Sequence, residues 1–373
     1  MADLESYREI LHYEELTGVY SRLRSNEQEN DPFFQRYGTG PAQQFDTDDV
    51  TFLVIDDDRE AAPLNSRDQP ARVLEPGGVS EASLTMIRSY NALPLKGYAM
   101  QALREPESHS LQRKAEQVIN MESLRFAKRH AITQRQIVAK LFQGTTIYVG
   151  ADGKVLESAT NAAYSIATGI PTKNLGTVAR ADHGIGDGTG NVNATLWTDP
   201  AAKIIDQLDE LNEAAEVVGN PPLVDVWQHV TMKRYMRANT QLQTEYGTDE
   251  EGFVSAVGRA GGFTVGQYNF RFYGGKYTAA GGGSQNYLNP TLAIVTPEGT
   301  DFMLLGDGLE LIPDSIDIRT SIEEARNGMQ EVYGDFSHAS LEFNPARLSL
   351  YGGFNKLFGF RNPSAVFAIT VSA

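Results

Sequence analysis

The stretch PESHSLQRKAEQVINMESLRFAKRHAITQRQIVAKLF, which spans residues 106–142, decides the fold. Its only proline is its first residue, it contains no glycine, and Gly144 follows it as a suitable C-terminal cap. This pattern predicts one helix from Pro106 to Phe142, roughly 54 Å long at 1.5 Å per residue. Apolar residues recur along it at steps of three, four or seven, with Gln134 as the polar break. They are Leu111, Ala115, Val118, Met121, Leu124, Ala127, Ala131, Val138 and Leu141.

The opposite face of this predicted helix is basic. A basic helix can contact DNA, but the same charges can equally face solvent or an acidic surface of another subunit. We favour the second interpretation, because the chain has 48 acidic and 32 basic residues and a formal net charge of −16. The basic residues are Arg113, Lys114, Arg125, Lys128, Arg129, Arg135 and Lys140.

The composition of the chain excludes several classes of protein. The hydrophobic fraction of 41 % is enough to bury a core. The length of 373 residues suggests about two or three structural units. No run approaches the roughly 18 consecutive apolar residues of a membrane helix, and the acidic start MADLESYREI lacks the apolar segment of a secretory leader. The absence of cysteine excludes disulfides, thiolate zinc sites and a cysteine nucleophile. We expect a soluble, acidic, globular protein made in the cytosol.

Two segments before the long helix lack a hydrophobic face of their own. Residues 1–50 contain one short amphipathic stretch followed by polar chain without a period, so we expect them to be disordered or ordered by lying on another surface. Residues 51–104 contain the extended runs Thr51–Ile55 and Leu84–Tyr90 among prolines and glycines. We interpret this second segment as a hairpin that packs on another molecule.

Helices and strands follow the long helix without a regular alternation. An Asp-Gly turn predicts a hairpin over Thr145–Ser158, and a loop rich in Gly and Asp is expected at 176–193. A second helix is predicted over Pro200–Val218, because Asp199 can cap it and apolar residues keep a 3–4 spacing. The mixture predicts an α+β fold rather than a doubly wound α/β sheet. The remaining predicted elements are a buried strand at Leu223–Trp227, a short helix near Gln228–Asn239, and β-like chain at Phe253–Ile312, 346–353 and 364–373.

The histidines form no catalytic or metal-binding constellation. No H-E-x-x-H pair is present, and the adjacent Ser337 and His338 lack the G-x-S-x-G turn of serine hydrolases. We therefore expect surface or packed histidines and no metal site. The six histidines are His12, His109, His130, His183, His229 and His338.

Acidic clusters and glycine-rich segments are equally unspecific. Asp56–Asp58 and the pair Asp182 and Asp187 do not follow the spacing of a calcium loop, which favours solvated turns. Gly258–Gly266 matches neither a dinucleotide-binding nor a phosphate-binding loop, and Gly281–Ser284 is typical of a flexible tip. We assign no catalytic, cofactor-binding or metal-binding residue, expect no cofactor, and predict that the chain is not an enzyme.

The order of these segments, together with six further motifs, resembles one family. The motifs are LTMIRSYNALPLKGY at 84–98, LWTDPAAKIIDQLDEL at 196–211, NPPLVDVWQHVTMKRYMRAN at 220–239, FRFYGGKYTAAGGG at 270–283, YLNPTLAIVTPEG at 287–299 and NPSAVFAITVSA at 362–373. In their order and spacing they resemble the major capsid proteins of lambda-like tailed bacteriophages, the phage E-type capsid family with the Hong Kong 97 fold. The long helix corresponds to the spine helix of that family.

The resemblance implies an α+β, Hong Kong 97-type organisation of the chain. The E-loop is expected to lie over a neighbour's spine helix, and the arm is expected to reach along adjacent subunits. The helix at 200–218 and the segment Gly258–Gly266 are expected near the symmetry axes. The implied segments are an N-terminal arm at 1–50, an E-loop hairpin at 51–104, a peripheral domain at 105–195 with the spine helix at 106–142, an axial domain at 196–320, and a return to the peripheral domain at 321–373.

The function that the resemblance implies is that of a major capsid protein. Such a protein self-assembles, as hexamers and pentamers, into the icosahedral head shell around the double-stranded DNA genome of a tailed phage. Portal, scaffold and a decoration or cement protein are the expected partners; DNA is enclosed without sequence-specific binding, and no membrane is involved. We expect the protein in the virion capsid after assembly in the host bacterial cytoplasm. No Lys–Asn pair can be assigned to isopeptide crosslinks, so we predict non-covalent assembly.

Two other classes of protein stay open at this point. An encapsulin-like nanocompartment shell protein has the same general fold and would enclose cargo. An unrelated soluble hydrolase that uses carboxylates would be a monomer or small oligomer with one concave pocket. The size of the expressed particle separates a shell from such an enzyme.

Overall fold

The computed structural model describes residues 31–55, 79–94, 109–182, 195–247, 250–259, 261–279, 281–313, 329–343 and 346–373. Helices and strands are mixed in these ranges without regular alternation, which confirms the predicted α+β class. The helices are α1 (Pro32–Tyr37), α2 (His109–Phe142), α3 (Gly176–Asp182), α4 (Ile204–Val217), α5 (Lys233–Ala238), α6 (Thr240–Tyr246) and α7 (Glu250–Gly258). The strands are β1 (Gln43–Phe45), β2 (Asp49–Ile55), β3 (Val79–Thr85), β4 (Ile87–Pro94), β5 (Ile147–Gly150), β6 (Val155–Leu156), β7 (Ala162–Ile166), β8 (Leu223–His229), β9 (Phe263–Val265), β10 (Tyr268–Tyr273), β11 (Lys276–Thr278), β12 (Ser284–Asn286), β13 (Leu292–Pro297), β14 (Met303–Pro313), β15 (Met329–Tyr333), β16 (Asp335–Phe343), β17 (Ala346–Phe360) and β18 (Phe367–Thr370).

The long helix α2 confirms the prediction from residues 106–142. Its 34 residues make it about 51 Å long at 1.5 Å per residue. Its C-terminal half is buried along the predicted stripe, as at Val138 and Leu141. Gly144 ends the helix with a φ of +64°, and a Cβ there would lie 2.2 Å from Leu175 Cδ2. Both the backbone conformation and the space therefore require glycine at the predicted cap.

A five-stranded sheet in the order β18-β13-β8-β10-β9 forms the centre of one part of the fold. β8 and β10 run parallel, and the other neighbours run antiparallel. The buried strand predicted at Leu223–Trp227 is confirmed and continues to His229. On one face of this sheet, Val226 shares a hydrophobic core with Leu208 of α4 and Phe253 of α7.

A six-stranded sheet is arranged around the 15-residue strand β17. β17 pairs antiparallel with β14, β16 and β4, while β1 and β15 are added along β14. The helix α2 packs against β17, because a Cβ at Gly352 would lie 2.8 Å from Phe126. Nearby, the rings of His130 and Phe354 are 5.8 Å apart in an edge-to-face contact. The glycine on β17 lets the helix approach the sheet closely.

The hairpin expected in the E-loop has a described base. β2 and β3 pair antiparallel from Asp49 opposite Thr85 to Ile55 opposite Val79. The predicted extended run Thr51–Ile55 is therefore confirmed, and the run Leu84–Tyr90 is divided at Met86 between β3 and β4. The chain then continues through the buried Met86 into β4, which pairs with β17 of the six-stranded sheet. Residues 56–78 lie outside the described part of the chain.

The hairpin predicted over Thr145–Ser158 is confirmed. β5 and β6 pair antiparallel, and Gly153 occupies the turn with a φ of +76°. The side chain of Asp152 accepts a hydrogen bond from the backbone nitrogen of Lys154 at 3.2 Å. A third strand, β7, pairs with β5 on its other side. The Asp-Gly dipeptide therefore marks a true turn between strands.

Two predicted helices begin later than expected. The helix predicted over Pro200–Val218 is α4, which begins at Ile204. The Asp199 carboxylate accepts a hydrogen bond from Ala201 N at 2.8 Å, so it closes a separate turn before the helix. The short helix predicted near Gln228–Asn239 is α5, preceded by one 3₁₀ turn, because β8 continues into the start of the predicted range.

Two segments predicted as irregular or β-like are helical. The first part of the loop expected at 176–193 forms the helix α3. This helix contacts strand β18, and its residue Ala179 is buried. α7 extends into the β-like range predicted at Phe253–Ile312 and buries Val257 together with Phe253. Both helices are short, so their periodicity is weak beside the surrounding glycines. The strands β9 to β14 confirm the β-like character of the remaining described part of that range.

The strand pairing does not follow the predicted boundary at residue 320. Strand β18 falls in the segment 321–373 that was assigned to the peripheral domain, but it pairs with β13 in the five-stranded sheet. Strand β14 falls in the axial segment 196–320, but it pairs with β17 in the six-stranded sheet. Pairing between remote segments overrides the linear division, because a strand joins whichever edge buries its apolar face.

The last part of the segment predicted as an arm at 1–50 lies in the core of its own chain. The ring of Phe33 is 5.1 Å from that of Trp227 on β8 and 5.4 Å from that of Phe142 on α2. The ring of Tyr37 is 4.4 Å from that of Phe142. The expectation that this segment is disordered or lies on another surface is therefore wrong for α1. The buried aromatic residues of α1 are Phe33, Phe34 and Tyr37, each at most 2 % exposed.

Polar contacts fix the N-terminal end of α1. The Oδ1 atom of Asp31 accepts a hydrogen bond from Phe34 N at 2.9 Å and caps the helix. Its Oδ2 atom accepts a hydrogen bond from Tyr273 on β10 and lies 3.4 Å from Arg135 Nε on α2. Burial, then the charge of Asp31, raises the pKa of Tyr273, so this hydroxyl stays a donor.

Polar contacts also fix the C-terminal end of α1. The Tyr37 hydroxyl accepts a hydrogen bond from Trp227 Nε1 at 3.0 Å and is 2.8 Å from Thr296 Oγ1 on β13. The guanidinium of Arg36 is 2.5 Å from Asp225, whose side chain is fully buried and also lies 3.3 Å from Arg271. α1 thus joins α2 to the five-stranded sheet.

Candidate assembly surfaces

The N-terminal half of α2 leaves part of the predicted apolar stripe on the surface. Met121 is 51 % exposed and Leu124 is 38 % exposed, although both belong to that stripe. On the opposite side, Phe126 and Ala127 are buried towards the six-stranded sheet. The apolar side chains of α2 therefore divide into a buried C-terminal stripe and an exposed pair, which we call the α2 apolar pair (Met121 and Leu124). The side chains of Leu111, Ala115 and Val118 lie outside the description.

The basic residues predicted on one face of α2 also divide into two groups. Arg125, Lys128 and Arg129 are exposed beside the α2 apolar pair. Lys140 is instead buried, and its Nζ atom lies 2.9 Å from Glu157 Oε2. Arg135 faces Asp31 of α1, as described above. The prediction of an outward basic face is confirmed for the exposed group and is wrong for Lys140 and Arg135, which pair within the chain.

The hairpin of β2 and β3 is attached to the six-stranded sheet at its base. Val50 and Met86 share a small hydrophobic cluster with Leu304 of β14 and Leu357 of β17. The base is also acidic, and the Asp49 carboxylate accepts a hydrogen bond from Thr85 Oγ1 at 2.8 Å. The hairpin therefore leaves the sheet from a fixed position.

A second pair of strands also presents apolar side chains. β14 pairs with β15 so that Leu311 is opposite Glu331 and Pro313 is opposite Met329. Leu311 and Met329 lie on the same face of this ribbon, and both are about half exposed. Among the described residues of the six-stranded sheet and its helix, the exposed large apolar side chains are these two, the α2 apolar pair and Tyr90 of β4. Such positions suit contact with another molecule.

The histidines that the structure describes are packed in the interior. The His338 ring stacks on Tyr351 with centroids 5.1 Å apart and planes 4° apart, and its Nε2 lies 3.4 Å from the Tyr90 hydroxyl. Burial lowers the pKa of His338 to about 4. Burial also lowers the pKa of His229, whose Nδ1 contacts Thr231 Oγ1 at 3.0 Å. These rings are therefore neutral structural groups near pH 7.

The remaining residues that the sequence offers as catalytic or metal-binding candidates either have structural contacts or lie outside the described part of the chain. His130 is buried, with Nε2 3.1 Å from Asn91 Nδ2. Ser337 and His338 are consecutive on β16 and so face opposite sides, and Ser337 Oγ donates to the carbonyl of Tyr351 at 3.0 Å. The arrangement has no nucleophile–base contact. His12, His183, Asp56–Asp58, Asp187 and the side chains of His109 and Asp182 lie outside the description.

No group of three or more His, Cys, Asp or Glu suited to a metal ion is found among the described side chains. Gly258–Gly266 spans the end of α7 and the strand β9, with Gly262 at a φ of +87°. Gly282, also at a φ of +87°, lies in the turn between β11 and β12. In both places the glycines serve backbone turns.

Within the described ranges, no helix is both long and apolar enough to cross a membrane.

A cavity of about 320 Å³ lies between the chain that follows α1 and the six-stranded sheet. Its charged groups are already compensated. Lys356 Nζ lies 3.1 Å from Asp307 Oδ1 and 3.1 Å from Asp335 Oδ2, and Asp335 accepts a hydrogen bond from Gln134 at 3.2 Å. This network joins α2 to three strands of the sheet, which suits a structural role.

Sequence reasoning missed α1, which contributes more to the core than any other described segment before α2. The signal was present, since Asp31 and Pro32 are a cap and first helical residue. The aromatic residues at 33, 34 and 37 share one helical face. The six-residue helix is too short for this periodicity to stand out against the polar chain around it.

Comparisons with known proteins bear on the whole arrangement. Residues 16–183 match the model of the family described as Phage major capsid protein E. This range includes α1, the β2–β3 hairpin and α2. No curated protein matches the sequence.

Among solved structures, the chain is similar to the putative capsid protein of a prophage of E. coli CFT073. The two share 13 % identity and a TM-score of 0.59, over 97 % of this chain and 99 % of that one. A phage-related protein of Bordetella bronchiseptica RB50 aligns with 10 % identity and a TM-score of 0.47, over 94 % of this chain and 95 % of that one. These findings confirm the resemblance seen in the sequence: the chain has the fold of a phage capsid protein, and its residues 16–183 have the sequence pattern of the phage major capsid protein E family.

Proposed function

We propose that the chain is the shell-forming major capsid protein of a tailed phage and that it self-assembles without covalent crosslinks. The observation that supports this most directly is the α2 apolar pair. The C-terminal half of α2 is buried in the core of the subunit, whereas its N-terminal half exposes these two apolar side chains. A second copy that covers them removes apolar surface from water and so stabilises the contact. Each Å² of apolar surface covered contributes about 25 cal/mol before ordering costs. Many such contacts in a closed shell give a stable particle.

The neighbour's E-loop hairpin is the proposed cover for α2. The hairpin begins at a fixed acidic base and leads in the sequence to Asp56–Asp58. The exposed cations beside the α2 apolar pair are Arg125, Lys128 and Arg129. Opposite charges on the two surfaces favour one register of the hairpin on the helix. The hairpin and helix of adjacent copies then form repeated contacts of one kind.

The arm takes a narrower part in this proposal than the sequence implied. Because α1 is fixed in the core, the part that reaches along adjacent subunits is the chain before Asp31. The axial part comprises the five-stranded sheet with its helices, and the peripheral part comprises α2 with the six-stranded sheet. The helix α4 and the segment Gly258–Gly266 belong to the axial part, near the symmetry axes of hexamers and pentamers.

The other partners in this proposal are the proteins that build a phage head together with the major capsid protein. A portal, a scaffold and a decoration or cement protein act with this chain, and assembly takes place in the host bacterial cytoplasm. The shell encloses double-stranded DNA, and the net charge of −16 keeps the protein from binding that DNA strongly. The chain has no catalytic role in this proposal.

Electron microscopy of the expressed chain tests the proposal. We expect the wild-type protein to form closed particles and Leu124→Asp to remain as folded, unassembled subunits, because a charge replaces an apolar contact. Val178→Asp is the matched control, since Val178 is similarly exposed on α3. A wild-type protein that stays monomeric in every condition contradicts the proposal. Particles that enclose a host enzyme and never package DNA would instead indicate a nanocompartment shell.

A further inference from the structure

The helices that cover the five-stranded sheet display two oppositely charged surfaces. The first, called here the acidic face, is the outer side of α4. Asp209, Glu213 and Glu216 are exposed there, and Asp206 is half-buried at the start of the same row. The steps of three and four residues place these carboxylates on one side of the helix. The opposite side of α4 is buried in the core.

The second surface, called here the basic patch, comprises Lys233, Arg234 and Arg237 of α5 together with Arg259 after α7. Lys233 Nζ donates a hydrogen bond to the carbonyl of Arg259 at 2.9 Å, which joins α5 to the end of α7. Lys233 also lies 5.1 Å from the ring centre of Phe272. Arg234, Arg237 and Arg259 are exposed.

The basic patch lacks carboxylate partners within the described part of the chain. None of the ion pairs between described residues includes any of its four cations. This is unusual in a chain with a formal net charge of −16. Burial and the nearby charge of Arg237 lower the pKa of Lys233, which agrees with cations grouped close together. The patch therefore suits an acidic partner.

The two surfaces belong to different helices of one subunit. The helix α6 contacts α4, α5 and α7. The side chain of Gln241 on α6 accepts a hydrogen bond from Ile205 N of α4 at 3.0 Å, which joins α6 to α4. No ion pair between described residues joins the acidic face to the basic patch, so both surfaces keep their charge for a partner.

We infer that the acidic face of one copy docks on the basic patch of the next copy, and that this contact repeats head to tail around a closed ring. Each copy then uses each surface once, which is how a heterologous contact forms a ring. The exposed Val217 and Val218 at the end of α4 add an apolar edge to the contact. The inference rests on the proposed function, because it takes a second copy of this chain as the partner. The contact weakens at high salt, since both surfaces are exposed.

A charge exchange tests this pairing. Glu213→Lys/Glu216→Lys and Arg234→Glu/Arg237→Glu are each expected to reduce particle yield at least tenfold, because each puts like charges in contact. The variant that combines all four substitutions is expected to recover most of the yield, because it restores opposite charges with exchanged positions. Glu298→Lys/Asp301→Lys is the control for net charge, since these exposed carboxylates lie between β13 and β14, outside both defined surfaces, and change the net charge as much as the α4 substitutions do. Circular dichroism verifies that every variant is folded.

The outcome of the exchange separates this inference from the proposed function. A combined variant that is folded but as defective as its parents overturns the inference, while particles from the wild type leave the proposed function intact. Wild-type subunits that bind DNA in low salt through Arg234 and Arg237 also overturn it, since the patch would then serve nucleic acid.

Crosslinking supplies a second measurement that does not depend on particle yield. The chain has no cysteine, so thiols introduced by Glu213→Cys and Arg237→Cys are the only ones present. With both substitutions in one chain, oxidation or a short bismaleimide is expected to produce a ladder of multimers that ends at a closed ring. Glu298→Cys with Arg237→Cys is the control pair. Equal crosslinking by both pairs, or none by either, overturns the inference even if no particle forms.

Discussion

At the residue scale, the titratable ring of His338 is buried among aromatic side chains of the six-stranded sheet. It stacks on Tyr351, and its Nδ1 atom has no hydrogen-bond partner within the described part of the chain. The exposed cation Arg88 lies 5.3 Å from the ring centre of Tyr90, the next ring in this cluster, and pairs with Glu310. The cluster joins β4, which continues from the hairpin, to β16 and β17.

The stability of the subunit is expected to fall in acid partly because of His338. Burial lowers its pKa from 6.5 to about 4 in the folded chain, so the unfolded chain binds more protons between these values. The contribution of this group is complete above pH 6.5 and is lost as pH falls towards 4, at about 1.4 kcal/mol per pH unit and about 3 kcal/mol in total. His338→Phe keeps the stacked ring and removes the titration. Urea unfolding of both proteins across this range should show a steeper decline for the wild type; parallel declines would contradict the assignment.

At the scale of elements, the long helix and the turns were predictable and the short helices were not. α2 repeats its apolar period over many turns, and Gly144 and Gly153 adopt the conformations that their positions predict. The exposure of Leu124 was not predictable, because a periodic stripe does not state which of its residues the sheet reaches. α1 depends on Phe142, Trp227 and other partners that are remote in sequence, so no local pattern shows its burial.

Truncation is expected to separate the arm from the core at Asp31. Deletion of residues 1–30 should leave the melting temperature of the isolated subunit nearly unchanged, because it keeps Asp31 and the later residues whose described contacts fix α1. Deletion of residues 1–38 also removes Phe33, Phe34 and Tyr37 and should prevent cooperative folding, since each lost core aromatic costs about 3–5 kcal/mol. Thermal unfolding followed by circular dichroism measures both. A cooperative transition in the longer deletion would show that α1 is dispensable for the core.

At the scale of the whole molecule, the two sheets are joined by exchange of strands. The consecutive strands β13 and β14 lie in different sheets, and after β14 to β17 in the six-stranded sheet the chain returns to the five-stranded sheet with β18. The class of the fold was predictable because local patterns distinguish helices from strands. The pairing of β14 and β18 with strands on the other side of residue 320 was not predictable, because strand pairing depends on contacts that the linear sequence does not display.

Denatured particles are expected to contain chains of a single mass. Lys140 and Lys356 pair with carboxylates of their own subunit, and no Lys–Asn pair is assigned to a crosslink between copies. Mass spectrometry should find 40.9 kDa chains, or one shorter species if the arm is cleaved. A ladder of multiples from wild-type particles would show covalent joining.

In the proposed shell, the placement of β17 has a mechanical consequence when a neighbour pulls on the hairpin. This strand pairs with β4, which leads from the hairpin, and with β14 and β16. Antiparallel hydrogen bonds run across the strands, so a pull on the hairpin along β4 strains the whole row at once and cannot open it one bond after another. A force on the hairpin is therefore distributed over the six-stranded sheet as shear between neighbouring strands. Paired strands resist separation most strongly when they are loaded in shear.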